Sequence, residues 1–237
     1  MKLSSTSNHR RGIATPSRHW SALVLCAAAM VTSGSTWADG PGRGATAAFE
    51  KNYLITIIDH HYSALRMTEL AAGTDTTRDA TVVDPAEGTS PSPGFASTAA
   101  KAADAQIRSM ARMANRQQRE EIGKAQHFLA EWYGAQHEPE LNAEGKRMIA
   151  MLDKAPAGAQ FDQIFLRLFS NHHFSALTPS LHCQVKSDLG HEGLRRYCQD
   201  IVVMQTNGIN DMRDMLCKQF SECGFVPRSE KGKDLDL

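Results

Sequence analysis

Apolar residues recur every three or four positions through most of the chain between residues 45 and 220, and this spacing predicts α-helices. The pattern predicts four long helices over 45–72, 99–133, 161–178 and 194–220, with a shorter linking helix over 140–154. Gly73 and Gly134 stand where the first two patterns stop, and Pro179 predicts an end or a kink in the third. Residues 74–98 are rich in Thr, Ser, Pro and Gly without periodicity, which predicts a long loop.

Residues 49–65 and residues 161–177 are similar position by position, without a gap. An aromatic residue opens each copy, an apolar run follows, and a pair of adjacent histidines falls at the same place. These histidines are His60, His61, His172 and His173. So specific a repeat predicts two tandem helical hairpins of one design. Each hairpin has an apolar face to bury, so the chain is predicted to be an all-α four-helix bundle.

The first residues have the layout of a secretory signal peptide, with a basic start, an apolar run at 21–30 and small residues around Ala38. The apolar run is shorter than the roughly 20 residues of a membrane span, so no stable span is expected after cleavage. The predicted location is periplasmic. The predicted division is a signal peptide at 1–38, a first hairpin at 39–135, a linking helix with a second hairpin at 136–225, and a flexible tail at 226–237.

The whole chain has 26 basic and 26 acidic residues, a balance that argues against a nucleic-acid partner. Beyond the leader the cysteines are Cys183, Cys198, Cys217 and Cys223. An even number in an exported protein predicts two disulfides. Three pairings are possible, and the preferred one joins Cys183 to Cys198 across a hairpin turn and Cys217 to Cys223 near the C-terminus. The alternative is free thiolates that bind metal.

The paired histidines carry the candidate chemistry. Neighbouring helical residues diverge by about 100°, so one histidine of each pair is expected to face a site while the other packs or hydrogen-bonds beside it. His60 and Met67 share a helical stripe, and imidazole with thioether suits copper, above all Cu(I). The alternative is that the methionines fill the core and the histidines are hydrogen-bonded packing residues. Residues expected on solvated faces are Glu69, Glu120, Glu131, His127, His137, His182 and His191.

Two blocks of residues form a pattern that occurs in both halves of the chain. The first block comprises Phe49, His60, His61, Ala64 and Met67, followed on the next helix by Gln118, Glu121 and Ile122. In the second half the matching residues are Phe161, Asp162, His172, His173, Ala176, Gln205, Ile209 and Met212. This pattern resembles the DUF305 family, and the resemblance implies an exported, ferritin-like bundle and, as in some members, copper binding through His and Met. The chain departs from the family pattern at Ala125, Pro179 and Gly208, where a methionine, a methionine and a glutamate are expected. These departures imply either one composite site or the loss of metal binding.

The predicted function is copper sequestration or tolerance, with a metal ion as the partner. The predicted ligands are His60, His61, Met67, His172, His173 and Met212. The alternative function is a structural or interaction module of the cell envelope without metal. A di-iron enzyme would need Glu-x-x-His motifs, which the sequence lacks, as it lacks haem-attachment, nucleophile-elbow and phosphate-loop motifs. The protein is therefore predicted not to be an enzyme.

Overall fold

The structure, a computed structural model, describes residues 44–74 and 91–228. Five helices follow one another in these ranges: α1 (Ala47–Ala72), α2 (Ala105–Tyr133), α3 (Ala143–Lys154), α4 (Ala159–Val185) and α5 (Glu192–Phe220). The described residues contain no strand, so the predicted all-α class is confirmed. No helix in these ranges is long and apolar enough to cross a membrane. The predicted signal peptide, most of the predicted 74–98 loop and nearly all of the tail lie outside the described residues.

Local signals set most helix ends. α1 ends at Gly73, with φ of 78°, and α2 ends at Gly134, which adopts the left-handed conformation. α2 begins at Ala105, six residues later than predicted, because the Asp104 carboxylate caps its first turn and accepts hydrogen bonds from two backbone N–H groups. Residues 99–104 precede this cap as an extended segment that bonds to the end of α1.

α4 continues through Pro179 to Val185, so the predicted end near residue 178 is wrong. A proline inside a helix costs about 3 kcal/mol because it removes one backbone hydrogen bond. Contacts beyond the proline favour the continued helix. Ser180 Oγ lies 2.9 Å from Tyr53 Oη on α1, and Cys183 is disulfide-bonded to Cys198 on α5.

Two helical hairpins, α1 with α2 and α4 with α5, form a bundle. They meet along α1 and α4, which run antiparallel, because the start of α1 contacts the end of α4 and the middles of the two helices contact each other. α3 packs across α1 at Gly145, where a Cβ would lie 2.5 Å from the Cβ of Ser63. Only glycine permits this approach. The arrangement is a helical bundle, and the ferritin-like order of the long helices stays a prediction.

Two acidic residues at equivalent places in the repeat connect the hairpins reciprocally. Glu50 on α1 accepts a hydrogen bond from the backbone N–H of Gly190, just before α5. Asp162 on α4 accepts hydrogen bonds of 3.0 Å from the backbone N–H groups of Ala103 and Asp104, just before α2. Each first helix therefore holds the start of the other hairpin's second helix.

The apolar core consists of two clusters. The α3 cluster includes Met67, Leu70, Met148, Leu152, Phe161, Phe165, Phe169, Met212 and Leu216. The Trp132 cluster includes Tyr53, Leu54, Ile57, Ile58, Leu129, Trp132, Ala176, Tyr197 and Ile201. On α4 the paired histidines fall between the residues of one cluster and those of the other, and on α1 they do so for all residues except Leu65, which belongs to the Trp132 cluster. A polar layer thus divides the core.

Both predicted disulfides are present. Cys183 is bonded to Cys198 with a Cα separation of 6.0 Å, and Cys217 is bonded to Cys223 with a Cα separation of 4.1 Å. The first pair connects the end of α4 to the start of α5, and the second connects the end of α5 to the turn that follows. The preferred pairing is confirmed.

Candidate functional site

The four paired histidines lie together at the centre of the bundle and are called the histidine layer below. His60, His61, His172 and His173 are all buried. The antiparallel contact of α1 with α4 brings the two pairs together, although they stand 112 residues apart in the chain. The repeat predicts that the matching imidazoles of the two halves meet inside the bundle, and His60 and His172 are in contact there.

His60 and His172 make a reciprocal contact across the interface between the hairpins. Their rings stack with centroids 3.8 Å apart, and the Nε2 atom of each ring lies 3.0 Å from the backbone carbonyl oxygen of the other residue. A carbonyl oxygen can only accept a hydrogen bond, so Nε2 carries the proton in both rings. Ser63 Oγ lies 2.9 Å from Nε2 of His172. Ser175, at the equivalent place in the repeat, has its Oγ 3.0 Å from Nε2 of His60.

His61 is held by a carboxylate on α2. Its Nε2 atom lies 2.8 Å from Oε2 of Glu121, and the other oxygen of Glu121 accepts a hydrogen bond from Gln117. Burial alone would raise the pKa of Glu121, but the close contact with His61 and the hydrogen bond from Gln117 outweigh burial, and the pKa lies below its ordinary value. The ionised carboxylate accepts a proton donor, so Nε2 of His61 also carries hydrogen.

The Nδ1 atoms are the ring nitrogens of the histidine layer that could donate a lone pair to a metal ion. Nδ1 of His60 lies 3.3 Å from Nδ1 of His61. When both neutral rings carry hydrogen on Nε2, two lone pairs face each other across this distance. Among the described residues, the buried Nδ1 atom of His172 has no hydrogen-bond partner. Both pairs thus present Nδ1 atoms that the protein does not use fully.

Burial keeps His60, His172 and His173 neutral. It lowers the pKa of His60 to about 3 and that of His173 to about 4, and a positive charge on the neighbouring His61 would lower both pKa values further. Burial and the charge of His60 also lower the pKa of His172 well below its ordinary value. A neutral imidazole has a lone pair, which is the form that binds metal.

The two pairs differ in what lies opposite their second histidine. His61 meets Glu121, whereas the equivalent position on α5 is Gly208. A Cβ at Gly208 would lie 2.8 Å from Cδ2 and 2.9 Å from Nε2 of His173. The imidazole of His173 therefore occupies the space that any side chain at residue 208 would need.

Residues 95–216 match the family model described as Domain of unknown function (DUF305). The chain belongs to the DUF305 family. No curated protein and no solved structure matches the chain. The matched range includes His172 and His173 but begins after His60 and His61, so the presence of two tandem family copies stays a prediction.

The two predicted methionine ligands of this DUF305 protein lie in the α3 cluster. Met67 and Met212 are buried among apolar side chains on the side of the histidine layer that Phe165 and Leu216 occupy. Their surroundings are those of core residues. A ligand role for either thioether stays a prediction.

Two other buried polar residues of the DUF305 chain were expected on solvated faces, and those predictions are wrong. His191 is buried, with Nδ1 2.6 Å from Oε2 of Glu50, and its ring stacks on Trp132. Glu69 is buried and accepts hydrogen bonds from the backbone and side chain of Ser92. Glu50, the partner of His191, could have been singled out from the sequence, because an acidic residue follows the opening phenylalanine in both copies of the repeat.

The described side chains of this DUF305 chain do not form a complete metal site. In the two described ranges, no group of three or more His, Cys, Asp or Glu side chains is placed to hold a metal ion. A site that requires four protein ligands, as structural zinc does, is thus not preformed. The adjacent Nδ1 atoms of His60 and His61 lie 3.3 Å apart, and their role as metal ligands stays a prediction.

Proposed function

We propose that this DUF305 chain binds copper as Cu(I) at the histidine layer. The observation that carries the proposal is the 3.3 Å approach of Nδ1 of His60 to Nδ1 of His61. In rings that are neutral and carry hydrogen on Nε2, two lone pairs face each other across this distance and repel. A metal ion shared by the two nitrogens would convert this repulsion into attraction.

The hydrogen bonds around the rings support ligation. Metal-bound histidines almost always donate the other ring N–H to a carboxylate, a backbone carbonyl or water, which fixes the tautomer and orients the ring. His60 donates to the carbonyl of His172, and Nε2 of His61 lies 2.8 Å from the carboxylate of Glu121. His172 repeats the arrangement through the carbonyl of His60. These rings are therefore oriented before any metal arrives.

The identity of the metal follows from the donor set. Reduced copper is a soft ion that accepts imidazole and thioether donors and is stable with few ligands, whereas structural zinc is almost always four-coordinate. Magnesium and calcium would require oxygen ligands. We propose the four imidazoles as the principal ligands. A ligand role for the thioethers of Met67 and Met212 is tested separately.

The proposed setting is an exported compartment, where the protein sequesters copper without catalysing a reaction. The signal-peptide pattern at 1–38 supports export. The two disulfides support an oxidising compartment, since disulfides persist there and are rare in reducing ones. Sequestration gives tolerance because a buried ion is withheld from other ligands.

A second function, a structural module without metal, is favoured by the contact of His60 with His172. Their stacked rings and reciprocal hydrogen bonds join the two hairpins without needing an ion. In this alternative the histidine layer specifies how the hairpins pair, in the way that a buried polar group fixes register in helical assemblies.

Competition titration of the metal-free mature protein with a chromophoric Cu(I) chelator tests the proposal. We expect the parent to bind Cu(I), and variants His61→Gln and His173→Gln to bind more weakly. His127→Gln is the matched control, because His127 lies exposed on α2 and contacts Glu131 only one turn away. Met67→Leu and Met212→Leu test the thioethers.

The double variant His60→Ala/His172→Ala should lose most of the affinity, and circular dichroism must show that it keeps its helices. Copper binding by this variant as tight as in the parent contradicts the ligand assignment. A parent that binds no Cu(I) and still unfolds cooperatively supports the structural module instead.

A further inference from the structure

The chain that follows α5 runs along one stripe of α4. Gln163, Arg167 and Asn171 lie on this stripe, one helical turn apart. The carboxylate of Glu222 accepts hydrogen bonds from Gln163 and Arg167, and the backbone N–H of Arg228 donates to Oδ1 of Asn171 at 2.9 Å. The chain after α5 therefore follows α4 from its first turns to its middle.

Beyond Asn171 the same stripe continues as exposed apolar side chains. Phe174, Leu181 and Val185 are 37%, 43% and 71% exposed, and the exposed Thr178 lies among them. Phe174, Thr178, Leu181 and Val185 are called the α4 stripe below. Single apolar residues are common on protein surfaces, whereas apolar residues that form a continuous exposed patch mark an interaction surface. The α4 stripe is such a patch.

In the first half of the chain the equivalent surface is covered by a non-helical segment of the chain itself. The α1 counterparts of the first three residues of the α4 stripe, at the offset of the repeat, are Tyr62, Arg66 and Glu69. Tyr62 donates a hydrogen bond to the carbonyl of Pro93, and Glu69 accepts hydrogen bonds from Ser92. The α1 surface is polar and holds its covering segment by hydrogen bonds, whereas the α4 stripe suits apolar side chains.

The residues after Arg228 are long enough to reach the α4 stripe and carry apolar side chains at a suitable spacing. Residues 229–237 include Leu235 and Leu237, which would lie on the same face of an extended chain. At about 3.3 Å per residue, the stretch from Arg228 to Leu235 spans up to about 23 Å. Leu181 lies about 15 Å along α4 from the residue that holds Arg228, at about 1.5 Å per residue.

We propose that residues 229–237 bind the α4 stripe in an extended conformation, in place of the flexible tail expected from the sequence. Leu235 and Leu237 pack against the apolar side chains of the stripe. The segment continues the path that the chain already takes along α4 between Glu222 and Arg228. The inference does not depend on copper, because the histidine layer takes no part in it.

Nuclear magnetic resonance of the metal-free full-length mature protein, labelled at leucine methyl groups and phenylalanine rings, tests this contact. We expect nuclear Overhauser effects between the methyl groups of Leu235 and Leu237 and the ring of Phe174. Leu181→Glu places a charge on the α4 stripe and should abolish these effects. Val203→Glu is the matched control, because Val203 is a similarly exposed apolar residue, at 49%, on α5, and the effects should persist in it.

A dye that fluoresces on apolar protein surfaces gives a second readout. We expect deletion of residues 229–237 to raise its fluorescence several-fold, because the deletion uncovers the α4 stripe. Adding Leu181→Glu to the deletion should reverse most of the increase, whereas adding Val203→Glu should not. Circular dichroism shows that each variant keeps its helices. Unchanged fluorescence in the deletion variant would overturn the proposal.

Sedimentation velocity distinguishes the segment from other occupants of the α4 stripe. We expect the parent to be monomeric, since its own residues cover the stripe. A dimeric parent that Leu181→Glu dissociates would assign the stripe to a second copy of the chain and overturn the proposal. A monomeric parent without effects between Phe174 and either Leu235 or Leu237 would overturn it as well, as would loss of the effects in Val203→Glu.

Discussion

A single residue, Gly208, distinguishes the two halves of the molecule. Its counterpart Glu121 lies 2.8 Å from Nε2 of His61, whereas Gly208 makes room for the ring of His173. Glycine in a helix interior ordinarily destabilises by about 0.5–1 kcal/mol relative to alanine, because the unfolded chain has more freedom to lose. At residue 208 this cost is offset by the histidine that only glycine admits.

Replacing Gly208 by alanine should destabilise the protein, by about 1–3 kcal/mol, because the new methyl group would lie 2.8 Å from Cδ2 of His173. Gly123→Ala is the control on α2, where a Cβ would meet nothing within 4 Å, and it should stabilise by about 0.5–1 kcal/mol. Urea unfolding measures both. Opposite signs are expected, and a stabilising Gly208→Ala would show that His173 does not need this space.

The helices are connected by groups at equivalent places in the repeat. Glu50 accepts hydrogen bonds from Thr46, Tyr133, Gly190 and His191, and so joins α1, α2 and the turn before α5. Burial alone would raise the pKa of Glu50, but these hydrogen bonds outweigh it and hold the pKa below its ordinary value. Its ionised form therefore stabilises the packing of the helix ends.

Glu50→Gln should cost about 1–3 kcal/mol at pH 7, because an amide cannot accept all of these hydrogen bonds and leaves buried donors unpaired. Glu120→Gln, on the exposed side of α2, should change stability by less than about 0.5 kcal/mol. The Glu50 carboxylate stabilises above the ordinary glutamate pKa of 4.5, and this contribution is lost as pH falls through its lowered folded pKa. The cost of Glu50→Gln should therefore shrink in acid. A cost independent of pH would contradict the ionised network.

At the scale of the whole molecule, the histidine layer is a polar plane between two apolar clusters. The neutral imidazoles of His60, His172 and His173 are stable there only while the surrounding helices exclude water. In the unfolded chain the same rings are solvated and take up protons near pH 6.5. The free energy of unfolding is thus coupled to pH through the centre of the bundle.

The metal-free protein should lose stability as pH falls below about 6.5, before its carboxylates titrate. The folded pKa values of His60 and His173 are lowered to about 3 and about 4, so between these values and 6.5 the unfolded state binds more protons. In this range each such histidine lowers the free energy of unfolding by about 1.4 kcal/mol for every pH unit that the pH falls. Chemical unfolding at pH 7 and pH 5 measures the slope. It should become smaller in His173→Gln and stay unchanged in His127→Gln, and a flat profile in the parent would contradict neutral buried rings.

The helices and the disulfides could be predicted because their signals are local. Glycine at residues 73 and 134 ends a helix wherever the chain folds, and Cys183 and Cys198 flank one turn. The continuation of α4 past Pro179 and the burial of His191 could not be predicted from local signals. The helix continues past Pro179 because of groups on α1 and α5, and His191 is buried because Glu50, 141 residues away, accepts its hydrogen bond.

The sequence by itself determined the helical periodicity, the repeat and the residue types available for chemistry, because these depend on neighbours three or four residues apart. Only the tertiary structure decided that α1 crosses α4 at the histidines. That crossing sets which nitrogen of each ring donates and which is left free, since the acceptors are backbone carbonyls and a carboxylate from other helices. A hydrogen bond between distant segments has no signature in either segment alone.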